Sequence, residues 1–266
     1  MRVDLFTIPV TDPLSLYATS IFRLRARDAY ATETIMPGGH VNLLFNFGPP
    51  VRVTGLSSTP IFTWSSAIIA GLQTRPYTSR PDHDVHTMGV SLRSSTSFAV
   101  LDTRLDGLTN GCVDASVLFA DTDRLMSQLA ETPSFQAQCG ILVAWLRCRA
   151  RIDDTGRLVY EACRLLGLDS ASGAVQRVAT RLGKSPRQLQ RLFTERVGTS
   201  PAQYVQLARF ARALPLISSS RSLTDVAAAA GYFDQAHFCH DFRGFAGMTP
   251  DEYRRAAPKV PGLIYA

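Results

Sequence analysis

The sequence predicts an α+β protein in two parts: an all-β N-terminal domain, a helical connector and an all-α C-terminal domain holding two helix-turn-helix units. Three observations predict this. Short β runs broken by turn residues occupy the chain up to about Phe119, helical spacing takes over beyond it, and the C-terminal region contains one pattern twice, 49 positions apart. With 266 residues, 45% of them hydrophobic, the chain is long enough for two cores.

The β runs are "SIFRLRA", "HVNLLFNFG", "VRVTGL", "SAIIAGL" and "VHTMGVSL", separated by Pro37-Gly38-Gly39, Pro49-Pro50 and Ser57-Ser58. They define a β-rich domain over 1–119. A helical connector over 120–152 follows, carried by "DTDRLMSQLA" and "FQAQCGILVAWLRCRA". In the second of these, Phe135, Cys139, Leu142 and Leu146 form a stripe widened by Ile141 and Trp145, which suits either its own domain or a second copy of the chain. The C-terminal domain, 153–258, opens with the helix "GRLVYEACRLLGL".

Within it, Leu189, Phe193, Gly198, Pro201 and Tyr204 lie 49 positions before Phe238, Phe242, Gly247, Pro250 and Tyr253. The shorter preceding helices, around Val178-Ala179 and Val226-Ala227, are offset by 48, so the second copy has one more residue in its turn. Each copy reads as a short helix, a turn opening on glycine (Gly183, Gly231), a capped second helix (Ser185 then Pro186; Asp234 then Gln235) and a closing glycine (Gly198, Gly247). One amphipathic helix of this kind would simply close a small core. Two in register are helix-turn-helix grammar, in which the second helix enters the DNA major groove. The outward positions are Arg187, Gln190, Arg191 and Thr194 in the first copy, and Ala236, Cys239, His240 and Arg243 in the second.

Charge points the same way. From Ala174 to Arg255 there are 12 Lys or Arg against 6 Asp or Glu, a net of +6 that equals the whole chain's +6, so the positive field belongs to the repeat and phosphates are the expected partner.

The blocks "VATRLGKSPRQLQRLFTERVGTSPAQYV" and "GYFDQAHFCHDFRGFAGMTPDEYRR" resemble the DNA-binding domain of the AraC/XylS family of transcription regulators. The resemblance implies a sequence-specific regulator, an activator in many such proteins, working in the cytoplasm on double-stranded DNA. A small-molecule effector, RNA polymerase and a second copy of the chain are its further expected partners. Motif alignment puts base contacts on Arg187, Gln190 and Arg191 in the first unit and on Gln235, Ala236, His237, Cys239 and His240 in the second. Arg177, Lys184 and Arg243 are phosphate candidates. "MPGGHVNLLFNFG", "GLQTRP" and "GVSLRSSTSFAVL" resemble parts of the barrel-like, cupin-type domain that precedes the DNA-binding half in a subgroup of the family, with Asn42, Phe45, Asn46 and Arg75 as candidate effector contacts.

Two departures stand out. Cys239 and His240 occupy positions where such proteins often have a hydroxyl residue and an arginine; a neutral imidazole makes one hydrogen bond where arginine offers a fork, so the second unit should read bases more weakly. Pro215 falls inside the helix that should separate the units, about fourteen residues after Pro201, and should bend or end it.

No stretch approaches a membrane span, and "MRVDLFTIPVTDP" does not read as a signal peptide. The five cysteines are odd in number and scattered, as expected of reduced thiols. Neither a metal nor any other cofactor is expected: His83 and His86 lie three apart in a loop-to-strand segment, His40 is distant in sequence, and no phosphate loop or activated nucleophile is present. The chain does not read as an enzyme. The alternatives are a DNA-binding protein whose β domain only oligomerises, and a cupin-like enzyme tethered to DNA; bound metal would favour the latter, a ligand-dependent melting shift the regulator.

Overall fold

The computed structural model describes residues 2–27, 32–55, 60–81, 83–168, 173–217, 221–256 and 263–265. Strands β1 (Arg2–Pro9), β2 (Ala18–Arg27), β3 (Glu33–Ile35), β4 (His40–Asn46), β5 (Val51–Gly55), β6 (Pro60–Trp64), β7 (Ala67–Ala70), β8 (Tyr77–Arg80), β9 (Val85–Arg93) and β10 (Cys112–Asp114) build the N-terminal part. The expected β runs are all present. The strands form two antiparallel sheets, ordered β1-β2-β9-β4-β7-β10 and, with β11 (Leu263–Tyr265), β11-β3-β8-β5-β6. They do not close into a barrel: among the described residues each outermost strand is paired on one side only, which leaves four edges that closure would have removed.

Strand alternation gives the larger sheet two different faces. Ile21, Val41, Leu43, Phe45, Ile69, Met88 and Val90 are buried in the main core on one face. The other face looks toward the smaller sheet and carries Phe22, Asn42, Leu44 and Thr87. Gly89 sits opposite both Phe22 and Leu44 in the ladders, and a Cβ there would lie 2.5 Å from Phe22 Cζ and 2.9 Å from Leu44 Cδ2; only glycine lets those two side chains converge.

The helices are α1 (Phe98–Leu101), α2 (Thr122–Glu131), α3 (Phe135–Arg149), α4 (Asp154–Leu168), α5 (Ala174–Arg181), α6 (Pro186–Val197), α7 (Pro201–Ile217), α8 (Leu223–Ala230), α9 (Gln235–Ala246) and α10 (Pro250–Arg255). The single turn α1 precedes the point at which helical spacing becomes legible, since four residues carry no period. The α3 stripe is covered by its own chain: Cys139, Leu142, Trp145 and Leu146 are buried, Trp145 meets Phe119 edge-on at 4.8 Å, and Phe135 lies against Phe6 and under Arg23.

Pro215 does not end its helix. The helix runs 17 residues to Ile217 with the exposed proline in its last turn, where little remains for the missing N–H to disrupt. The freed end is held from outside, because Arg254 on α10 donates to the carbonyls of Ile217 at 3.1 Å and Arg221 at 2.9 Å. Strand β11 was not anticipated: it returns from beyond the last helix to pair with β3, Leu263 opposite Ile35 and Tyr265 opposite Glu33.

Candidate nucleic-acid interface and the cavity between the sheets

The two repeats fold alike down to individual contacts. Helix α6 starts with a reciprocal cap, Gln188 N–H to Ser185 Oγ at 3.2 Å and Ser185 N–H to Gln188 Oε1 at 2.9 Å, with Pro186 at its first position. Helix α9 is capped by Asp234, which accepts from His237 N–H at 2.7 Å. Both end on a left-handed glycine, Gly198 at φ 86° and Gly247 at φ 70°. Phe193 meets Tyr204 at 5.7 Å and 76°; their counterparts Phe242 and Tyr253 meet at 5.6 Å and 69°.

The turns differ by one residue, and hydrogen bonding identifies it. Lys184 N–H bonds Ala179 O at 3.0 Å and Tyr232 N–H bonds Ala227 O at 2.9 Å, so these residues correspond. The caps Ser185 and Asp234 correspond in turn, which leaves Phe233 as the extra residue. Its side chain is 92% exposed beside the start of α9.

Burial of Leu189, Phe193 and Val197 turns the opposite face of α6 outward, and Arg187, Gln190 and Arg191 on it are exposed. Neither arginine has an ion-pair partner among the described residues. Thr194 is half-buried and donates to Gln190 O at 3.0 Å, back onto its own helix. In the second unit Gln235, Ala236, His240 and Arg243 are exposed, while His237 and Cys239 are half-buried. His237 Nε2 lies 3.4 Å from Asp241 Oδ2 and its ring stands edge-on to Tyr232, and Gln235 Oε1 accepts from Thr224 at 2.8 Å. Burial, then the charge of Asp251, raises the Cys239 thiol above its ordinary range, so it stays protonated at neutral pH. Arg177 is exposed and Lys184 half-buried beside the first turn. Several other cations counted in the basic region serve the fold: Arg212 donates to Gly167 O at 3.0 Å, Arg196 pairs with Asp153 at 3.3 Å, and Arg254 holds α7.

Residues 178–256 match a family described as "Helix-turn-helix domain". Over 87 residues the chain is 39% identical to the transcriptional regulator GadX of Escherichia coli, covering 32% of this chain and 31% of GadX. Over 78 residues it is 35% identical to the transcriptional activator RhaR of Yersinia pseudotuberculosis, covering 29% of this chain and 27% of RhaR. The C-terminal helices are a helix-turn-helix domain, and the chain is similar in part to these transcription regulators. The chain thus matches less than a third of the length of these relatives. Residues 7–114 match a domain of unknown function, DUF6597. The fold of the whole chain is similar to that of ToxT from Vibrio cholerae, with a TM-score of 0.53 at 10% identity over 96% of this chain and 97% of that one.

The helix-turn-helix domain is joined to the β-rich part by direct contacts at the end of α6. Leu105 N–H donates to Glu195 O at 2.9 Å, Arg104 pairs with Glu195 Oε1 at 3.2 Å, and the Thr109 hydroxyl donates to the carbonyl of Gly198. These contacts hold the C-terminal end of α6 and leave Arg187 and Arg191, nearer its start, outward.

Between the two sheets lies a cavity of about 490 Å³, within the range of small-molecule sites. Of the four residues expected to contact an effector, Asn42 lines it and accepts from Ser91 Oγ at 3.0 Å. The other three do not. Phe45 points into the core from the opposite face of β4, Asn46 is a buried brace donating to Pro49 O at 2.9 Å, and Arg75 is exposed on a turn. One-residue alternation separates Phe45 from the cavity, and register with β7 and β9 had to be known to assign the faces. The sequence reading missed Glu33, Tyr77 and Trp64, which line the cavity from the smaller sheet, and Leu214, which reaches it from α7. Of the candidate histidines, His40 lines the cavity, His86 stacks on Phe47 at 5.3 Å and His83 is exposed.

Proposed function

We propose that the protein is a sequence-specific DNA-binding transcription regulator whose β-rich part, 1–119, responds to a small molecule and is joined by a connector, 120–152, to the DNA-binding domain, 153–258. The observation that carries this reading is the duplicated helix-turn-helix unit with an unpaired basic face on its first reading helix. In this reading α6 and α9 enter successive major-groove segments about one helical turn, ~34 Å, apart. Arg187 and Arg191 contact guanine edges and Gln190 an adenine. Gln235, His237 and His240 supply sparser contacts in the second unit, where Ala236 and Cys239 offer apolar or weak ones and Thr194 supports from the first. Arg177, Lys184 and Arg243 meet phosphates.

Effector control is supported by the cavity and by what reaches it. Helix α7 connects the two units and also places Leu214 against the cavity, so a bound molecule would press on the element that sets their spacing. ToxT, which shares this fold, has been solved bound to an unsaturated fatty acid and to (E)-4-(8-methylnaphthalen-1-yl)but-3-enoic acid. RNA polymerase is the expected partner of a regulator that activates. Among the described residues no helix is long and apolar enough to cross a membrane.

The test is to sequence genomic fragments retained by the purified protein and titrate the best one at several salt concentrations. A shared motif with two half-sites, and a log-log salt slope of about −0.9 per phosphate contact, are expected. Retention without a motif, or a flat salt dependence, would refute the reading.

A further inference from the structure

The two sheets contribute unequally to the cavity. From the smaller sheet, Glu33, Ser79 and Val53 stand in one row, paired Glu33 to Ser79 and Ser79 to Val53, and all three face inward. Glu33 is 5% exposed, and its Oε1 has no hydrogen-bond partner among the described residues. A buried carboxylate oxygen without a partner carries an uncompensated desolvation cost. Phe22, Trp64 and Tyr77 add aromatic faces to the same cavity.

Among the described residues no lysine or arginine lines the cavity, so none of them offers an anion a counter-charge here. Arg23, on the adjacent strand position to Phe22, points to the other face of the sheet and lies over the Phe6 and Phe135 rings. Arg93 donates to Ser15 O at 2.7 Å. His40 does line the cavity, but burial and then Arg93 hold its pKa below the ordinary value, so at neutral pH it carries no charge. Burial likewise keeps Tyr77 and Cys112 protonated and neutral. Glu33 is left as the group able to supply charge.

We propose that the cavity takes an organic ammonium ion carrying apolar substituents, its N–H groups donating to the unpartnered Glu33 oxygen and its charge lying near the aromatic rings. The assignment rests on the effector reading above and adds the ligand's chemical class. Both halves of the site fit it: a carboxylate awaiting donors satisfies the ammonium, and ring faces favour a cation that has lost water. It sets this cavity apart from one built to hold a carboxylic acid.

The experiment compares three probes of one skeleton, n-octylamine, n-octanol and n-octanoate, by calorimetric titration into the full chain and into Glu33→Gln at pH 7.5. Octylamine is expected to bind the unmodified chain at least ten-fold more tightly than octanoate. Glu33→Gln is expected to lose that preference while still binding octanol, which shows that the cavity remains intact. If octanoate binds as tightly as octylamine, or if Glu33→Gln leaves the amine affinity unchanged, the ammonium assignment is overturned and the effector reading stands. If none of the three binds, the cavity is not a ligand site and both readings fall.

Discussion

Leu105 gives its backbone N–H to the carbonyl of Glu195 at 2.9 Å, tying a loop of the β-rich part to the last turn of the first reading helix, ninety residues further along the chain. The neighbouring contact is tighter still in consequence. Gly198 adopts φ 86°, accepts from the Thr109 hydroxyl, and has no room for a side chain, since a Cβ would stand 2.7 Å from Thr109 Oγ1 and 3.0 Å from Leu105 O. Asn110, the next residue, lines the cavity. The helix that presents Arg187 and Arg191 is therefore one hydrogen bond and one residue of chain away from the cavity between the sheets.

Gly198→Ala should destabilise the protein by at least the ~1–2 kcal/mol of a left-handed alanine, with a further loss as the loop is displaced. Thr109→Val keeps the shape and removes the donor, so about 1–3 kcal/mol is expected from the carbonyl left unsatisfied. Thermal unfolding should show a drop of a few degrees for Thr109→Val and a larger one for Gly198→Ala. An alanine variant as stable as the parent would mean that the two parts separate readily.

Arg191→Ala should cost about 1–3 kcal/mol on the selected DNA site and relax preference at one base position. His240→Ala should cost less, because the imidazole lacks the two parallel donors with which arginine grips a guanine edge. Both side chains are exposed, so melting temperatures should not move and binding titrations report DNA contact alone. Equal losses would remove the asymmetry between the units.

Phe233 is the extra residue of the second turn and is almost wholly exposed, an expensive arrangement unless something covers it. A position next to the start of α9 suits contact with a thymine methyl or a sugar. Phe233→Ala should therefore leave stability unchanged and weaken DNA binding by about 1 kcal/mol or more. Unaltered affinity would show that the ring faces water in the complex too.

Burial pushes the Glu33 carboxyl up to about 7, well above its ordinary value near 4.5. The folded chain therefore holds this proton more tightly than the unfolded chain. Its contribution is fully present below about pH 4.5 and is lost as pH rises through 7. At ~1.4 kcal/mol per pH interval of one, the loss approaches roughly 3 kcal/mol. Glu33→Gln should be the more stable form at pH 8 and about equal to the parent at pH 4.5, as read from urea midpoints. A gap that does not change with pH would contradict the assigned shift.

Pro215→Ala should raise the melting temperature, since alanine is intrinsically favoured over proline by up to about 3 kcal/mol inside a helix, and by less in a last turn. Arg254 holds both the Ile217 and the Arg221 carbonyls, so affinity for a complete two-part DNA site should stay within two-fold of the parent. Arg254→Ala should lower it instead. A loss on Pro215→Ala would return the spacing role to the proline.

The helix-turn-helix half was legible because its signals are local. Caps, closing glycines and the 49-residue register are written in neighbouring residues, and the phenylalanine faces follow from the helical period. Even the one-residue difference between the turns could be counted, although hydrogen bonds were needed to identify it as Phe233. The β half was legible only as strands. Whether Phe45 or Leu44 faces the cavity depends on register against β7 and β9, and a run with apolar residues on both faces does not reveal that register.

The sequence by itself determined five of the strands, the longer helices, the duplicated helix-turn-helix unit and the outward basic face of α6, since each follows from periodicity and chemistry within a few turns of chain. Only the tertiary structure decided that the strands form two sheets, that a C-terminal strand joins one of them, and that Glu33, Trp64 and Leu214 meet around a single cavity. Those residues are far apart in sequence, and the contacts that unite them are set by packing and ladder register, which no local pattern encodes.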